Sequence, residues 1–223
     1  MFQCVTGRSL NMMRKNNNHI YDQRQGGFTI VELMIASLVF SVILVVITVG
    51  VTSFTRSYYK GVRSSAVQNR TRTIVDTIAQ SIEFSGAAIT PTGSNNYFCT
   101  GGKLFSFTQG VRYTGGAATA ANRGLFQEDM ATGGACPASA PNPASAVNGL
   151  ELLEPNMRVA KLVVQPVTGS GATNMYQIIL RVAYGDDDLL NNPTATDASC
   201  KLQAGSQFCA VSELSTIVQK RVQ

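Results

Sequence analysis

From Leu33 to Thr55 no side chain carries a charge, and Leu, Ile, Val and Phe fill most positions. Taken from Phe28 to about Phe54, the stretch is long enough to cross a bilayer as a helix, which needs roughly 20 apolar residues. Beyond it the polarity changes but the period stays helical. Ala66, Val67, Ile74, Val75, Ile78 and Ile82 recur mostly at three- and four-residue spacing, with Gln68, Asn69, Arg72, Asp76 and Gln80 between them. That is an amphipathic helix with one apolar stripe. No proline interrupts before Pro91, so the pattern predicts one continuous helix from Phe28 to about Ser85, ending at Gly86. At 1.5 Å per residue it would run about 87 Å. Gly50 is its weak point, costing about 1 kcal/mol of helix propensity relative to Ala, unless it faces a neighbouring helix.

After residue 148 the period drops to two. Met175–Tyr184 alternates, with Tyr176, Ile178, Leu180, Val182 and Tyr184 on one face and Gln177, Ile179, Arg181 and Ala183 on the other. Arg158–Val167 and Ala210–Val222 are further strand candidates with less regular alternation, and Thr168–Asn174 reads as a hairpin loop. An antiparallel sheet with one apolar face needs a cover, and the stripe Ile74, Ile78, Ile82 supplies it. Residues 86–148 are rich in Gly, Ala, Ser, Thr, Asn and Pro and read as a long loop-rich insert, with short strand candidates at Lys103–Phe107 and Val111–Tyr113. The expected fold class is α+β: a long N-terminal helix, half apolar and half amphipathic, laid on a C-terminal antiparallel sheet. The expected divisions are a leader 1–27, the helix 28–85 with its membrane part 28–54, and a globular domain 86–223 whose β part is 149–223.

One polar residue breaks the apolar pattern near its start. Glu32 lies one turn after Phe28, and an ionisable group in a membrane segment is a functional suspect by default. Ahead of it stands Gly26-Gly27-Phe28-Thr29-Ile30-Val31-Glu32, preceded by a basic polar leader. An ordinary secretory signal is cleaved after its apolar stretch. Here the glycines come before it, so cleavage there would leave the anchor on the mature chain.

The segment GGFTIVELMIASLVFSVI resembles the processing motif of type IV pilins and type II secretion pseudopilins. The resemblance covers about twenty residues but is specific, since Gly, Phe, Thr and Glu stand in the family's order before the apolar run. It implies a pilin-like fold and no catalytic role. It also implies cleavage of the Gly27–Phe28 bond by the prepilin peptidase, methylation of Phe28, and an assembly role for Glu32, which would pair with a neighbouring subunit's terminal amine. Implied partners are the peptidase, other pilin subunits through the N-terminal helix, the inner-membrane assembly platform and membrane lipid. The chain departs from the major subunits, which commonly carry a proline about twenty residues into the helix. Thr48, Gly50, Thr52 and Ser53 occupy that neighbourhood here. The size, the insert and the cysteines are similar to those of minor subunits of the W or J type. The leader is long for the family, and Met12 or Met13 would serve as an alternative start.

Net charge is +5 over 223 residues. The leader holds Arg8, Arg14, Lys15 and Arg24 against Asp22, so residues 28–223 keep 14 basic and 12 acidic side chains. A net +2 is no signature of a nucleic-acid protein, and no specific nucleic acid is expected as partner. Basic residues flank the apolar run on both sides, so charge alone leaves orientation open. Cysteine placement and the leader motif favour the N-terminus inside and the globular domain outside. Cys4 lies in the leader, while Cys99, Cys136, Cys200 and Cys209 lie beyond the apolar run. An even number across a membrane reads as two disulfides in an oxidising compartment. Four cysteines allow three pairings, and the sequence does not choose among them. The favoured reading is Cys200–Cys209, closing a short loop, with Cys99–Cys136 clipping the insert. The competing reading is four buried thiols.

The only histidine, His19, is in the leader. Its loss on processing would exclude Ser-His and Cys-His catalysis and histidine-ligated metals. No Walker-type loop and no Cys-x-x-Cys is present, so no enzymatic activity and no cofactor is expected. Asp186, Asp187 and Asp188, with Asn191, Asn192 and Asp197 behind them, form the one acidic cluster. Oxygen-rich loops hold Ca²⁺, and some pseudopilins bind it in a late loop. The spacing fits no EF-hand, and a solvated turn is the favoured reading. Tyr58 and Tyr59, with Arg56 and Lys60, stand where the apolar run ends and read as an interfacial anchor. The expectation is a minor pilin or pseudopilin, held first in the cytoplasmic membrane and then in a pilus or pseudopilus outside the cell. The alternatives are a secretion pseudopilin that pushes cargo and a membrane-anchored surface binding protein.

Overall fold

The helical period becomes a single helix, α1, Ile30–Glu83. It belongs to a computed structural model that describes residues 27–86, 88–90, 92, 96–119, 122–130, 135–138, 149–168 and 174–221. The leader through Gly26, with Cys4, Met12, Met13 and His19, lies outside the described residues, as do residues 169–173 of the expected hairpin loop. The chain divides into a unit ending at Thr48 and a second beginning at Val49.

The described part of the first unit is the start of α1, whose side chains are all exposed. By length and composition α1 is able to cross a membrane, and its most apolar window is not buried at all. A core helix of a soluble protein would hide that window. The hydroxyls within it are satisfied locally: Ser37 donates to the Met34 carbonyl at 2.9 Å and Ser41 to that of Ser37 at 2.8 Å. Polar groups that bond back to their own helix carry little penalty in lipid, where no water is available.

In the second unit, Thr52 and Thr55 likewise donate to the Val49 and Val51 carbonyls. The helix passes Gly50 without a break, and a side chain there would meet nothing within 4 Å. Val67, Thr71, Ile74, Val75, Ile78 and Ile82 form the buried stripe. Ala66 is exposed, contrary to the expected stripe, and Thr71 fills the gap by turning its hydroxyl onto the Val67 carbonyl at 2.8 Å. At the other end, Arg221 N–H donates to the Glu83 carbonyl at 3.0 Å, so the C-terminal segment caps the helix.

The period-two segments form the antiparallel sheet β5 (Met157–Pro166), β6 (Met175–Tyr184) and β9 (Ala210–Gln219), in that order. β6 carries Ile178, Leu180 and Val182 inward at 0% exposure. The irregular alternation of β5 has a physical cause: the register shifts between Val159 and Lys161. One extra residue, Ala160, switches the inward face from odd to even positions, so Val159 and then Leu162 and Val164 reach the same core. Asn174 takes a left-handed φ of 60° at the end of the hairpin loop.

The insert differs most from expectation. It carries three strands of a second antiparallel sheet, β1 (Tyr97–Cys99), β2 (Lys103–Phe107) and β3 (Leu125–Asp129), which is completed by β4 (Leu150–Glu151) at the start of the β part. Gly101, at φ 72°, makes the tight turn from β1 to β2, closed by Thr100 N–H donating to the Lys103 carbonyl at 2.9 Å. Phe98 and Phe105 face each other across these strands with ring centroids 4.9 Å apart. Their core is continuous with the helix stripe and the sheet of β5, β6 and β9. Val111–Tyr113 is not a strand. It follows the left-handed turn at Gly110 and makes only single bonds with the start of β5, Tyr113 N–H to the Met157 carbonyl at 2.9 Å among them. A short ribbon, β7 (Leu190–Asn191) with β8 (Ser199–Cys200), completes the unit.

Candidate assembly site and its supports

Gly27, Phe28 and Thr29 precede the helix in non-helical backbone, and Phe28 is 88% exposed. Gly27 is exposed as well. Thr29 then starts the helix. Its hydroxyl oxygen accepts Glu32 N–H at 3.2 Å, while Glu32 Oε2 accepts Thr29 N–H at 2.9 Å and the Thr29 hydroxyl at 3.0 Å. This is a reciprocal capping box, the arrangement that Thr-x-x-Glu produces at a helix start. The acid also faces the positive end of the helix dipole. Glu32 is thus held by Thr29 in the first turn of the helix. Thr29 is the residue the sequence reading missed, although Thr29-Ile30-Val31-Glu32 carries the signal.

The structure joins Cys99 to Cys136 and Cys200 to Cys209, with Cα separations of 5.8 and 5.7 Å. The first bond ties β1 to the far part of the insert, beside a small core of Tyr97, Cys99 and Leu104. Tyr97 supports it by donating its hydroxyl to the Pro137 carbonyl at 3.0 Å. The second bond joins the end of β8 to the start of β9 and packs with Ala183 and Leu190.

Asp186, Asp187 and Asp188 do not converge. Asp186 pairs with Arg112, and Asp187 pairs with Arg158 at 2.6 Å. The Asp188 carbonyl accepts Lys201 Nζ at 2.8 Å and Gln203 Nε2 at 3.0 Å. Among the described residues no group of three or more His, Cys, Asp or Glu is placed to hold a metal ion. The acids are explained as a turn gripped by arginines. Arg158 was not singled out by the sequence, because one Arg at a strand start carries no signal of burial. Tyr58 is 61% and Tyr59 44% exposed, and Tyr59 meets Phe208 with ring centroids 6.1 Å apart.

The edge of the β1–β4 sheet also holds a half-buried charged group. Glu151 accepts Leu125 N–H at 2.7 Å and Gly124 and Leu153 N–H at 3.1 Å. Burial pushes its pKa above the ordinary carboxylate value, against the pull of these bonds and of Arg123. Burial likewise raises Glu128, and it lowers Arg123. Through the Gly124 and Leu125 bonds Glu151 ties β4 to the start of β3.

Residues 22–48 match the family described as the prokaryotic N-terminal methylation motif. Comparison with curated proteins and with solved structures gives no match. The motif, the exposed apolar helix and the α+β architecture fit a processed protein of type IV pilin or pseudopilin kind. The match covers 27 of 223 residues, so nothing finer about the globular domain follows from it.

Proposed function

We propose that the chain is a minor pilin or pseudopilin, a structural subunit and not an enzyme. The observation that carries this reading is the methylation motif at residues 22–48, with Gly27 and Phe28 exposed and Glu32 held by Thr29. The precursor inserts with its leader inside and its globular domain outside. Prepilin peptidase hydrolyses Gly27–Phe28, leaving a carboxylate on Gly27 and an amine on Phe28, which is then methylated. The helix moves from lipid into a fibre of similar helices. There Glu32 accepts the terminal amine of a neighbouring subunit, because an unpaired carboxylate in an apolar fibre core is unfavourable. The assembly platform and the other subunits are its partners. The long insert, now seen as a sheet held by a disulfide, supports a minor subunit of the W or J type in a pilus serving adhesion, motility or DNA uptake. A secretion pseudopilin is the alternative, and the neighbouring genes discriminate between them.

The test is intact mass and N-terminal analysis of protein taken from native membranes. The expected mature chain begins at Phe28 and carries one added methyl. A mature terminus elsewhere, or a leader that stays attached, refutes the reading and favours a simple membrane-anchored binding protein.

A further inference from the structure

The segment closed by Cys200–Cys209 has an unusual surface. It is rigid: β8 pairs with β7, a 3-10 turn spans Ser206–Phe208, and Gly205 takes a left-handed φ of 92°. Lys201 and Gln203 both anchor it to the Asp188 carbonyl. Yet its tip presents Leu202 at 99% exposure, and Phe208 is 46% exposed. A large apolar side chain held outward on a cross-linked loop is not an accident of a floppy segment, since little conformational freedom remains to be lost on contact.

The loop's position in the fold is informative. Phe208 meets Tyr59, and a cleft between loop and helix is lined by Arg56, Lys60, Gln203 and Ser206. Arg56 is the first charged residue after the apolar run that ends at Thr55. The loop therefore stands beside the helix at the point where an apolar span ends. Phe54, Tyr58, Tyr59 and Phe208 form a chain of ring contacts there. Aromatic and basic residues around a protruding apolar tip match the lipid headgroup zone. The charge is favourable for anionic lipid: Arg56, Lys60 and Lys201 are basic, and of the nearby acids Asp186 and Asp187 already pair with arginines, leaving the Asp188 carboxylate as the opposing group.

We propose that the Cys200–Cys209 loop is a second membrane contact, in which Leu202 enters the headgroup region of an anionic lipid surface beside the end of the span. The globular domain would then be held against the membrane before assembly, and leaving the membrane would require this contact to be released. The proposal rests on the membrane-spanning reading of α1, and the test separates the two.

The chain contains no tryptophan, so single reporters are clean. The full chain carrying Leu202→Trp is reconstituted in vesicles of phosphatidylcholine with and without phosphatidylglycerol. Val45→Trp reports on the span, and Phe84→Trp, at the opposite end of the amphipathic helix, reports on the water-facing domain. Lipids spin-labelled at the headgroup should quench the Leu202→Trp reporter strongly in anionic vesicles and leave the Phe84→Trp reporter nearly unaffected. Adding Lys60→Gln, which leaves the loop's bonds to the Asp188 carbonyl intact, should weaken the loop's partition about five-fold, the effect of one basic residue at an anionic surface. If the Val45→Trp reporter escapes lipids labelled deep in the acyl chain, the span reading falls and this proposal with it. If that reporter is quenched but the Leu202→Trp reporter answers only to aqueous acrylamide, the loop faces water or a neighbouring subunit, and this proposal alone is overturned.

Discussion

Arg158 should be the most sensitive polar residue of the globular domain. Its side chain is 2% exposed, while that of its acidic partner Asp187 is 71% exposed. Its guanidinium donates to the Gly185 carbonyl at 2.8 Å and the Gly110 carbonyl at 3.3 Å. The fork therefore ties the loop before Val111 to the turn after β6, and the ion pair with Asp187 sits at its solvent end. Removing it by Arg158→Ala strips two backbone carbonyls of their donor, each about 1–3 kcal/mol, and leaves a cavity. A total near 3–5 kcal/mol is expected, as for other buried charged groups that lose their network. Asp187→Ala removes only an exposed partner and should cost about 0–1 kcal/mol. Arg158→Lys keeps the charge but not the fork, and should fall between the two. Thermal unfolding of the full chain in detergent, followed through tyrosine near-ultraviolet circular dichroism, would read the difference. Arg158→Ala should lower Tm by about 6–20 °C, taking roughly 2–4 °C per kcal/mol for this size. If Asp187→Ala costs as much as Arg158→Ala, the ion pair and not the carbonyl bridge holds this region, and the reasoning fails.

Ile78→Ala, at a fully buried position of the stripe, should cost about 2–5 kcal/mol, while Ala66→Ser, at an exposed one, should stay within about 0.5 kcal/mol, both read by the same melts. Glu151 has its pKa raised on folding, so its contribution favours the fold below the ordinary carboxylate value and is lost as pH rises through the raised one. Glu151→Gln should flatten that part of the stability–pH curve, and parallel curves for variant and parent would show that burial is not the dominant influence. Glu32→Ala should leave the globular domain's melting unchanged but reduce the subunit's presence in sheared filaments relative to membranes, and equal incorporation would remove the proposed pairing.

The legible parts of the fold were those with a strong period. α1 and β6 stand where the polarity pattern put them, because each buries one face over many residues. β5 was blurred by a single inserted residue at Ala160, which reverses the alternation midway. The sheet of β1 to β4 was hidden for another reason. β1 has three residues and β4 two, too few for any period to emerge, and their flanks are Gly- and Ala-rich. Two local signals were nonetheless available, Gly101-Gly102 between two aromatic segments and Thr29-x-x-Glu32 at the helix start. Arg158 had none, since its burial depends on carbonyls brought together from residues 110 and 185.

The capping box bears on the proposed pairing of Glu32 with a neighbour's amine. In the isolated chain Glu32 already accepts two hydrogen bonds from Thr29, both on Oε2. A carboxylate has two oxygens and about four acceptor positions, so a cation can be added without displacing Thr29. Recognition of a neighbour's amine therefore need not unravel the helix start. The cap and the proposed pairing are in this way separable: Thr29→Val would remove the hydroxyl and loosen the orientation of Glu32 while leaving the charge in place. Incorporation into filaments should then fall by less than in Glu32→Ala, and Thr29→Ser, which restores the hydroxyl, should recover it. If Thr29→Val assembles as poorly as Glu32→Ala and Thr29→Ser does not recover, the side chain of Thr29 acts through some contact other than the cap.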